Sequence, residues 1–221
     1  MLQTVQPQLL ALPESTQSRA LPRRPASVHL LQSGQITTAL SGPEAADRQE
    51  LEQYIHDIFA RAHGANIRHY LPQLMSLRDE GGKLLAVCGL RHAEDEKLFL
   101  EHYLDAPVEH ILQRQTGYYV PRGDIVEIGN LAVADPIHAR SLLASVSLYL
   151  HGTNTWWGVF TGLATLRNSL FKLGMNIHVL AEAGIADLPL ADQADWGSYY
   201  ADGPHVMAVR RTSRSQEGEM A

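Results

Sequence analysis

One segment of this chain sets two chemically capable side chains inside a run of strand-forming residues. Residues 124–133 read Asp-Ile-Val-Glu-Ile-Gly-Asn-Leu-Ala-Val, so Glu127 and Asn130 interrupt an apolar stretch. In a regular strand, Glu127 and Gly129 face one side, and Ile128 and Asn130 face the other. Burying a carboxylate costs several kcal/mol unless it is paired. Glu127 is therefore either part of a structural polar network or a general base whose pKa is raised by burial.

A second group of polar residues precedes this strand. Glu101, Asp105 and Glu109 lie in an acidic segment that also contains Tyr103. One interpretation is a binding wall for a cationic or amine-bearing acceptor. The alternative is a solvated loop followed by the first turn of a helix, where Glu109 suits the helix dipole. The histidines show neither His-x-His nor His-Glu-x-x-His spacing, so we expect no metal site.

The composition limits the class of protein. The 221 residues are 45% hydrophobic and 19% charged, with a formal net charge of -6, which suits one domain. Without clustered Lys and Arg, nucleic acid is not expected as a partner. No apolar run approaches the ~20 residues of a membrane-spanning helix. The single cysteine, Cys88, lies in an apolar run and is expected to be a buried, inert thiol, which favours a cytoplasmic protein.

The order of the predicted elements indicates the fold class. Residues 1–26 are predicted to be a mobile tail, 27–211 a single domain, and 212–221 a polar tail. Strands are predicted at 27–32, 70–77, 83–91, 124–133, 156–161, 176–181 and 205–210, and helices beginning at Ser41, Pro107, Asp135 and Leu163. This order predicts an α/β (α+β) fold with a mixed central sheet flanked by helices. The later strands should be parallel neighbours that splay into a ligand-binding crevice near Glu127.

Five stretches between residues 54 and 207 resemble the thermostable hemolysin family: HGANIRHYLPQL, LFLEHYLDAPVE, IVEIGNLAV, WWGVFTGLATLRNSLFKLG and WGSYY. Members of that family are similar to the acyl-CoA N-acyltransferase (GNAT-like) fold and to acyl-homoserine-lactone synthases. The resemblance implies transfer of an acyl group from acyl-CoA or an acyl-carrier-protein thioester to a small amine or amino-acid-like acceptor. Two alternatives stay open: a membrane-active hemolysin-type protein, and a non-catalytic protein that binds an acyl ligand on the same fold.

The resemblance also implies roles for individual residues. Lactone synthases carry Glu-x-x-Arg on their central strand, and the similar positions here are Glu127 and Asn130. Glu127 would be the base. Asn130, in place of the arginine, would either bind the thioester oxygen or satisfy backbone groups. The phosphate-binding turn of the fold falls at 134–140, which lacks glycine and contains Asp135, so an acyl-carrier protein rivals coenzyme A as donor. The implied donor and cofactor contacts are Val133, Arg140, Thr161, Arg167 and Asn168.

Two aromatic groups complete the set of candidates. Trp156, Trp157 and Phe160 alternate along a predicted strand, where core packing is expected and lining of an acyl tunnel is the alternative. Residues 196–200, Trp-Gly-Ser-Tyr-Tyr, predict an ordered loop whose tyrosines either cover a pocket or pack at the sheet edge. The sequence leaves the acyl length, the acceptor and the oligomeric state open.

Overall fold

The computed structural model describes residues 27–33, 36–153 and 155–211. The two predicted tails, 1–26 and 212–221, lie outside the described residues. None of the helices in the described ranges has the length and apolar character needed to cross a membrane.

A single mixed sheet forms the centre of the fold. Its strands are β1 (Ser27–Ser33), β2 (Ile36–Ser41), β3 (Gln73–Asp79), β4 (Leu84–His92), β5 (Ile125–Val133), β6 (Trp157–Gly162), β7 (Ile177–Glu182) and β8 (His205–Arg210). Within the described ranges they form eight strands in the order β1-β2-β3-β4-β5-β6-β8-β7. Every neighbouring pair is antiparallel except β5 and β6, which are parallel. The fold is therefore α+β with a mixed sheet.

Helices cover both faces of this sheet. They are α1 (Arg48–His63), α2 (Val108–Thr116), α3 (Ala139–Gly152), α4 (Ala164–Lys172) and the single turn α5 (Leu190–Gln193). Val87 packs with α1, whereas its neighbours on β4, Ala86 and Cys88, pack with α3. Since adjacent strand residues point to opposite faces, α1 and α3 lie on opposite sides of the sheet. Helix α2 shares the face of α1, and α4 shares that of α3.

Several local predictions are confirmed. Helix α1 buries Leu51, Ile55 and Phe59 and ends at Gly64, whose φ of 63° lets its N–H bond to the carbonyl of Ala60. The β3–β4 hairpin turns where predicted. Cys88 is fully buried, and burial raises the pKa of its thiol to about 12, which keeps it protonated and inert.

The structure corrects the region that precedes α1. Ser41 was predicted to cap that helix, but it is the last residue of β2, a strand that the sequence pattern did not indicate. Pro43 and Glu44 form a turn instead, and α1 begins at Arg48. Strand β2 pairs with both β1 and β3, and its burial depends on partners that are distant in the chain.

The prediction that the later strands are all parallel neighbours is wrong for β7. Strand β8 lies between β6 and β7 and is antiparallel to both. The single parallel pair, β5 and β6, is registered at Ile125–Trp157, Val126–Gly158 and Glu127–Val159, and no further pair follows, although both strands continue. The sheet therefore opens at Glu127, as the predicted crevice requires.

A β-bulge at Asn130 shapes β5 beyond this point. The register with β4 changes from Val87–Ala132 to Gly89–Gly129, which leaves one extra residue on β5. Asn130 has a φ of 48°, in the left-handed region that asparagine tolerates better than most residues. Because of the bulge, Asn130 comes to the face that carries Glu127, and the predicted period-two facing fails here.

Gly89 provides a test of how tightly this region is packed. A Cβ on Gly89 would lie 2.7 Å from Leu71 Cβ and 2.9 Å from Asn130 Oδ1, and neither atom is the free end of a flexible chain. We expect Gly89→Ala to lower the free energy of unfolding by about 1–3 kcal/mol. Gly152→Ala is the control, since nothing lies within 4 Å of its Cβ and the effect should be neutral or stabilising. Urea unfolding measures both; equal values would contradict this packing.

Candidate active site

A cavity of about 700 Å³ crosses the sheet where β5 and β6 separate. Its volume falls within the range of small-ligand sites. On the side of α1, which we call the aromatic half, it is lined by Phe59, Phe99, Tyr103, Trp196, Tyr199 and Tyr200. On the other side, which we call the aliphatic half, it is lined by Leu142, Leu143, Val146, Leu166 and Leu170 of α3 and α4. The cavity is therefore lined by side chains from both faces of the sheet.

Glu127 lies at the point where the two halves join. It is 4% exposed and lines the cavity. Its two carboxylate oxygens accept the backbone N–H groups of Phe99 (2.9 Å) and Leu100 (2.8 Å), at the start of the 3-10 turn Phe99–Tyr103. Burial raises the pKa of Glu127 to about 7, although these two hydrogen bonds act in the opposite direction. The carboxylate therefore belongs to a structural network and also titrates where a general base is effective.

Asn130 holds a loop against the sheet. Its side-chain oxygen accepts the N–H of Leu71 (2.9 Å), and its amide nitrogen donates to the carbonyl of His69 (3.0 Å). Of the two predicted roles, contact with a thioester oxygen or satisfaction of backbone groups, this geometry corresponds to the second. Leu71, fixed in this way, covers Gly89 and Gly129 beside the cavity.

The three acidic candidates of the 101–109 segment are not among the residues that line the cavity. Glu101 is buried and accepts hydrogen bonds from Arg122 (2.7 and 3.0 Å) and from the N–H groups of Leu98 and Val108. Arg122 also bonds to Glu109 (2.7 Å). Asp105 is exposed. These carboxylates do not form the predicted wall for an acceptor, because Arg122 draws two of them into a structural cluster.

Burial and pairing act against each other on Glu101. Burial alone would raise the pKa of this carboxyl, but the hydrogen bonds from Arg122, Val108 and Leu98 hold it below its usual value. The charged Glu101–Arg122 pair therefore stabilises the segment whose 3-10 turn binds Glu127.

The donor-side candidates are divided by the structure. Thr161 lines the cavity, whereas Arg167 and Asn168 line an adjoining depression that shares Gly174, Met175 and Asn176 with it. Arg140 is exposed, and Val133 packs in the core beneath α3; neither is part of the cavity lining. Asp135 caps the turn before α3 by accepting the N–H of Ile137 (3.0 Å), which places a carboxylate where a phosphate-binding turn would present free N–H groups.

Some of the aromatic candidates pack in the core, and others line the cavity. Trp156 and Trp157 pack in or against the core, as expected, and Phe160 lines the cavity. Of the two alternatives for residues 196–200, the structure shows the first, since Trp196, Tyr199 and Tyr200 line the cavity. Phe59 and Phe99 also line the cavity, although the sequence pattern does not mark them as site residues. Phe59 belongs to the apolar stripe of α1, and nothing in its spacing separates a cavity residue from a core residue.

The residues of the described part of the chain contain no group of three or more His, Cys, Asp or Glu side chains that could hold a metal ion.

The raised pKa of Glu127 has a consequence for stability. The pKa of Glu127 is about 7 in the folded state and near 4.3 in the unfolded state. The folded state therefore binds the carboxyl proton of Glu127 more tightly than the unfolded state does. The stabilisation is complete below about pH 4 and is lost as the pH rises through 7. Relative to Glu127→Gln, the wild type should lose about 2–3 kcal/mol of unfolding free energy between pH 5 and pH 8.

The measurement is urea unfolding of both proteins across this pH range. Glu80→Gln in the exposed β3–β4 turn is the matched control, and its difference from the wild type should stay constant with pH. Parallel curves for wild type and Glu127→Gln would show that Glu127 does not titrate in this range.

Known structures with the same architecture include three synthases. The acyl-homoserine-lactone synthase LasI is 10% identical with a TM-score of 0.55, and the match covers 83% of this chain and 94% of that chain. FeeM, an N-acyl amino acid synthase from uncultured soil microbes, is 14% identical with a TM-score of 0.53, and the match covers 78% of this chain and 89% of that chain. The CoA-dependent acyl-homoserine-lactone synthase BjaI is 13% identical with a TM-score of 0.53, and the match covers 84% of this chain and 87% of that chain. At these identities the similarity shows the fold alone, which is the GNAT-like N-acyltransferase fold.

No curated protein sequence matches the chain. The family comparison is more direct, because residues 41–214 match the model of one family over most of the domain. This chain belongs to the thermostable hemolysin family.

Proposed function

We propose that this protein transfers an acyl group from a thioester to a small amine, with Glu127 as the general base. The observation that carries the proposal is the position of Glu127, a buried carboxylate at the opening between β5 and β6 where the cavity crosses the sheet. The similar structures add support, since they are named as synthases of acyl-homoserine lactones and of N-acyl amino acids.

The proposed donor enters the aliphatic half. Beyond Glu127 and Val159 the two parallel strands are no longer paired, so backbone N–H and C=O groups face the gap. An extended pantetheine arm carries amide groups that pair with such strand edges. The acyl chain would then lie among the leucine and valine side chains of α3 and α4.

The proposed acceptor enters the aromatic half as an ammonium ion. Glu127 takes one proton, and the nitrogen lone pair attacks the thioester carbonyl carbon. The C–S bond then breaks, an amide forms, and the thiolate leaves and takes up the second nitrogen proton. A pKa of about 7 suits Glu127 to accept a proton from an ammonium group at neutral pH.

Substitution of the base tests this mechanism. With an acyl thioester and a pool of amines, Glu127→Gln should lower kcat/KM by about 100-fold or more, because the amide cannot accept the proton. The wild-type kcat/KM should rise with pH through about 7. Thiol release measures the rate, and Glu80→Gln should match the wild type.

The same assay has a clear negative result. If folded wild-type protein releases no thiol from any donor, or if Glu127→Gln retains full activity, the proposed mechanism is wrong. Lysis of liposomes without thiol release would point to a membrane-active protein instead.

A second prediction concerns the carrier of the acyl group. Because Asp135 occupies the start of the turn before α3, we expect no diphosphate site there. Acyl-pantetheine should then react with a kcat/KM within about tenfold of acyl-CoA, since the nucleotide adds little binding energy.

Asp135→Asn is the matched variant, because it keeps the side-chain cap and removes the charge. It should raise kcat/KM for acyl-CoA by about two- to fivefold and leave acyl-pantetheine unchanged, since only the nucleotide is negatively charged. A preference of the wild type for acyl-CoA above about 100-fold would contradict this view of the donor site.

A further inference from the structure

The aromatic half of the cavity is a continuous group of rings. The ring centroid of Trp196 lies 5.7 Å from that of Phe99, 5.5 Å from Tyr199 and 5.6 Å from Tyr200. The hydroxyl groups of Tyr103 and Tyr200 are hydrogen-bonded to each other. Burial raises the pKa of Tyr200 to about 12 and that of Tyr103 further, so both stay neutral. These rings offer apolar surface and electron-rich faces that attract a cation.

The loop that carries three of these rings is fixed in place. Gly197 lies so close to α1 that a Cβ there would be 2.1 Å from the carbonyl of His63, and the N–H of Ser198 donates to the same carbonyl (2.8 Å). The N–H of Asn66 donates to the backbone carbonyl of Asp195 (2.7 Å). Trp196 and its neighbours are therefore fixed in place on one side of the cavity that Glu127 also lines.

Two cationic groups of the described cavity lining, Arg91 and His69, already face a carboxylate. The Nε of Arg91 lies 3.2 Å from Glu96, and its Nη1 donates to the carbonyl of Lys97 (3.1 Å). His69 lies 3.2 Å from Asp192. The ring of His63 packs edge-on against Tyr199.

The remaining charged groups of the lining are Arg210, Arg211 and His151, and Arg210 pairs with Trp157, two residues before Val159. Arg210 and Arg211 lie over the ring of Trp156, at 5.8 and 4.1 Å. His151 bonds to the carbonyl of Ser147. Arg91 stands opposite Glu127 in the β4–β5 register and faces Glu96. An acceptor carboxylate beside Glu127 would therefore meet a like charge and would have to compete with Glu96 for Arg91.

We propose that the acceptor is a primary arylalkylamine without a carboxylate, whose ring packs against Trp196 and whose ammonium group faces Glu127. This inference rests on the proposed function and names its acceptor class. The ring system binds the apolar body, Glu127 attracts the ammonium group, and an amino acid with the same side chain is excluded by its negative charge.

Matched pairs of acceptors test the inference, because they differ only in the carboxylate: tyramine against tyrosine, and phenethylamine against phenylalanine. With one acyl thioester, the amine of each pair should have a kcat/KM at least about 100-fold higher. Calorimetry of the same compounds without a donor measures binding independently of turnover.

Trp196→Leu should lower kcat/KM for tyramine by about 3- to 30-fold, since it removes the ring face that attracts the cation. Trp156→Leu is the matched control outside the cavity lining and should have no such effect. Unchanged activity of Trp196→Leu would overturn the role of the ring.

The outcomes separate the two proposals. Acylation of tyrosine or phenylalanine as efficient as that of the amines overturns the acceptor class and leaves acyl transfer standing. Calorimetric preference for the amines without turnover supports the acceptor class, and acyl transfer is overturned if no other thioester donor releases thiol with these amines either. No binding and no turnover with any of the four compounds overturns the acceptor class, and the assay with the pool of amines then decides acyl transfer.

Discussion

The carboxylate of Glu127 links the end of the parallel β5–β6 register, the turn Phe99–Tyr103 and the cavity. It stands on the last paired residue of the parallel β5–β6 register, it binds the first two N–H groups of the turn Phe99–Tyr103, and it faces the cavity. A helical turn presents unsatisfied N–H groups at its start, and a carboxylate is their natural partner. This side chain therefore helps to fix the position of that turn and of the rings of Phe99 and Tyr103.

The turn is held from its other end by Arg122. This guanidinium joins Glu101 and Glu109 and donates to the carbonyls of Ala93 and Glu96, so one residue organises the chain between β4 and α2. These bonds raise the pKa of Arg122 above its usual value and keep the cluster charged. The turn Phe99–Tyr103 buries the Glu127 carboxylate and donates two hydrogen bonds to it. This burial raises the pKa of Glu127.

Much of the fold could be predicted from the sequence, because most of its elements are encoded locally. The apolar stripe and terminal glycine of α1, the turn between β3 and β4, and the strand around Glu127 all follow from spacing. Strand β2 and the insertion of β8 between β6 and β7 could not, because they depend on pairing between distant segments. The bulge at Asn130 is similar: one extra residue on β5 is visible only against the register of β4, and it reverses the facing expected from period two.

The site shows the same division between local and non-local information. Glu127 stands out in the sequence because a buried charge is rare in a strand. Phe59 and Phe99 look like core residues in the sequence, and only the structure shows that they line the cavity. Glu101 and Glu109 were predicted to bind an acceptor, because their sequence segment does not contain Arg122. In the structure both carboxylates form ion pairs with Arg122 and stabilise the segment. The gap between β5 and β6 is formed by backbone groups, which any sequence supplies. In the proposed reaction this feature would serve the donor, and the side chains of the 196–200 loop would select the acceptor.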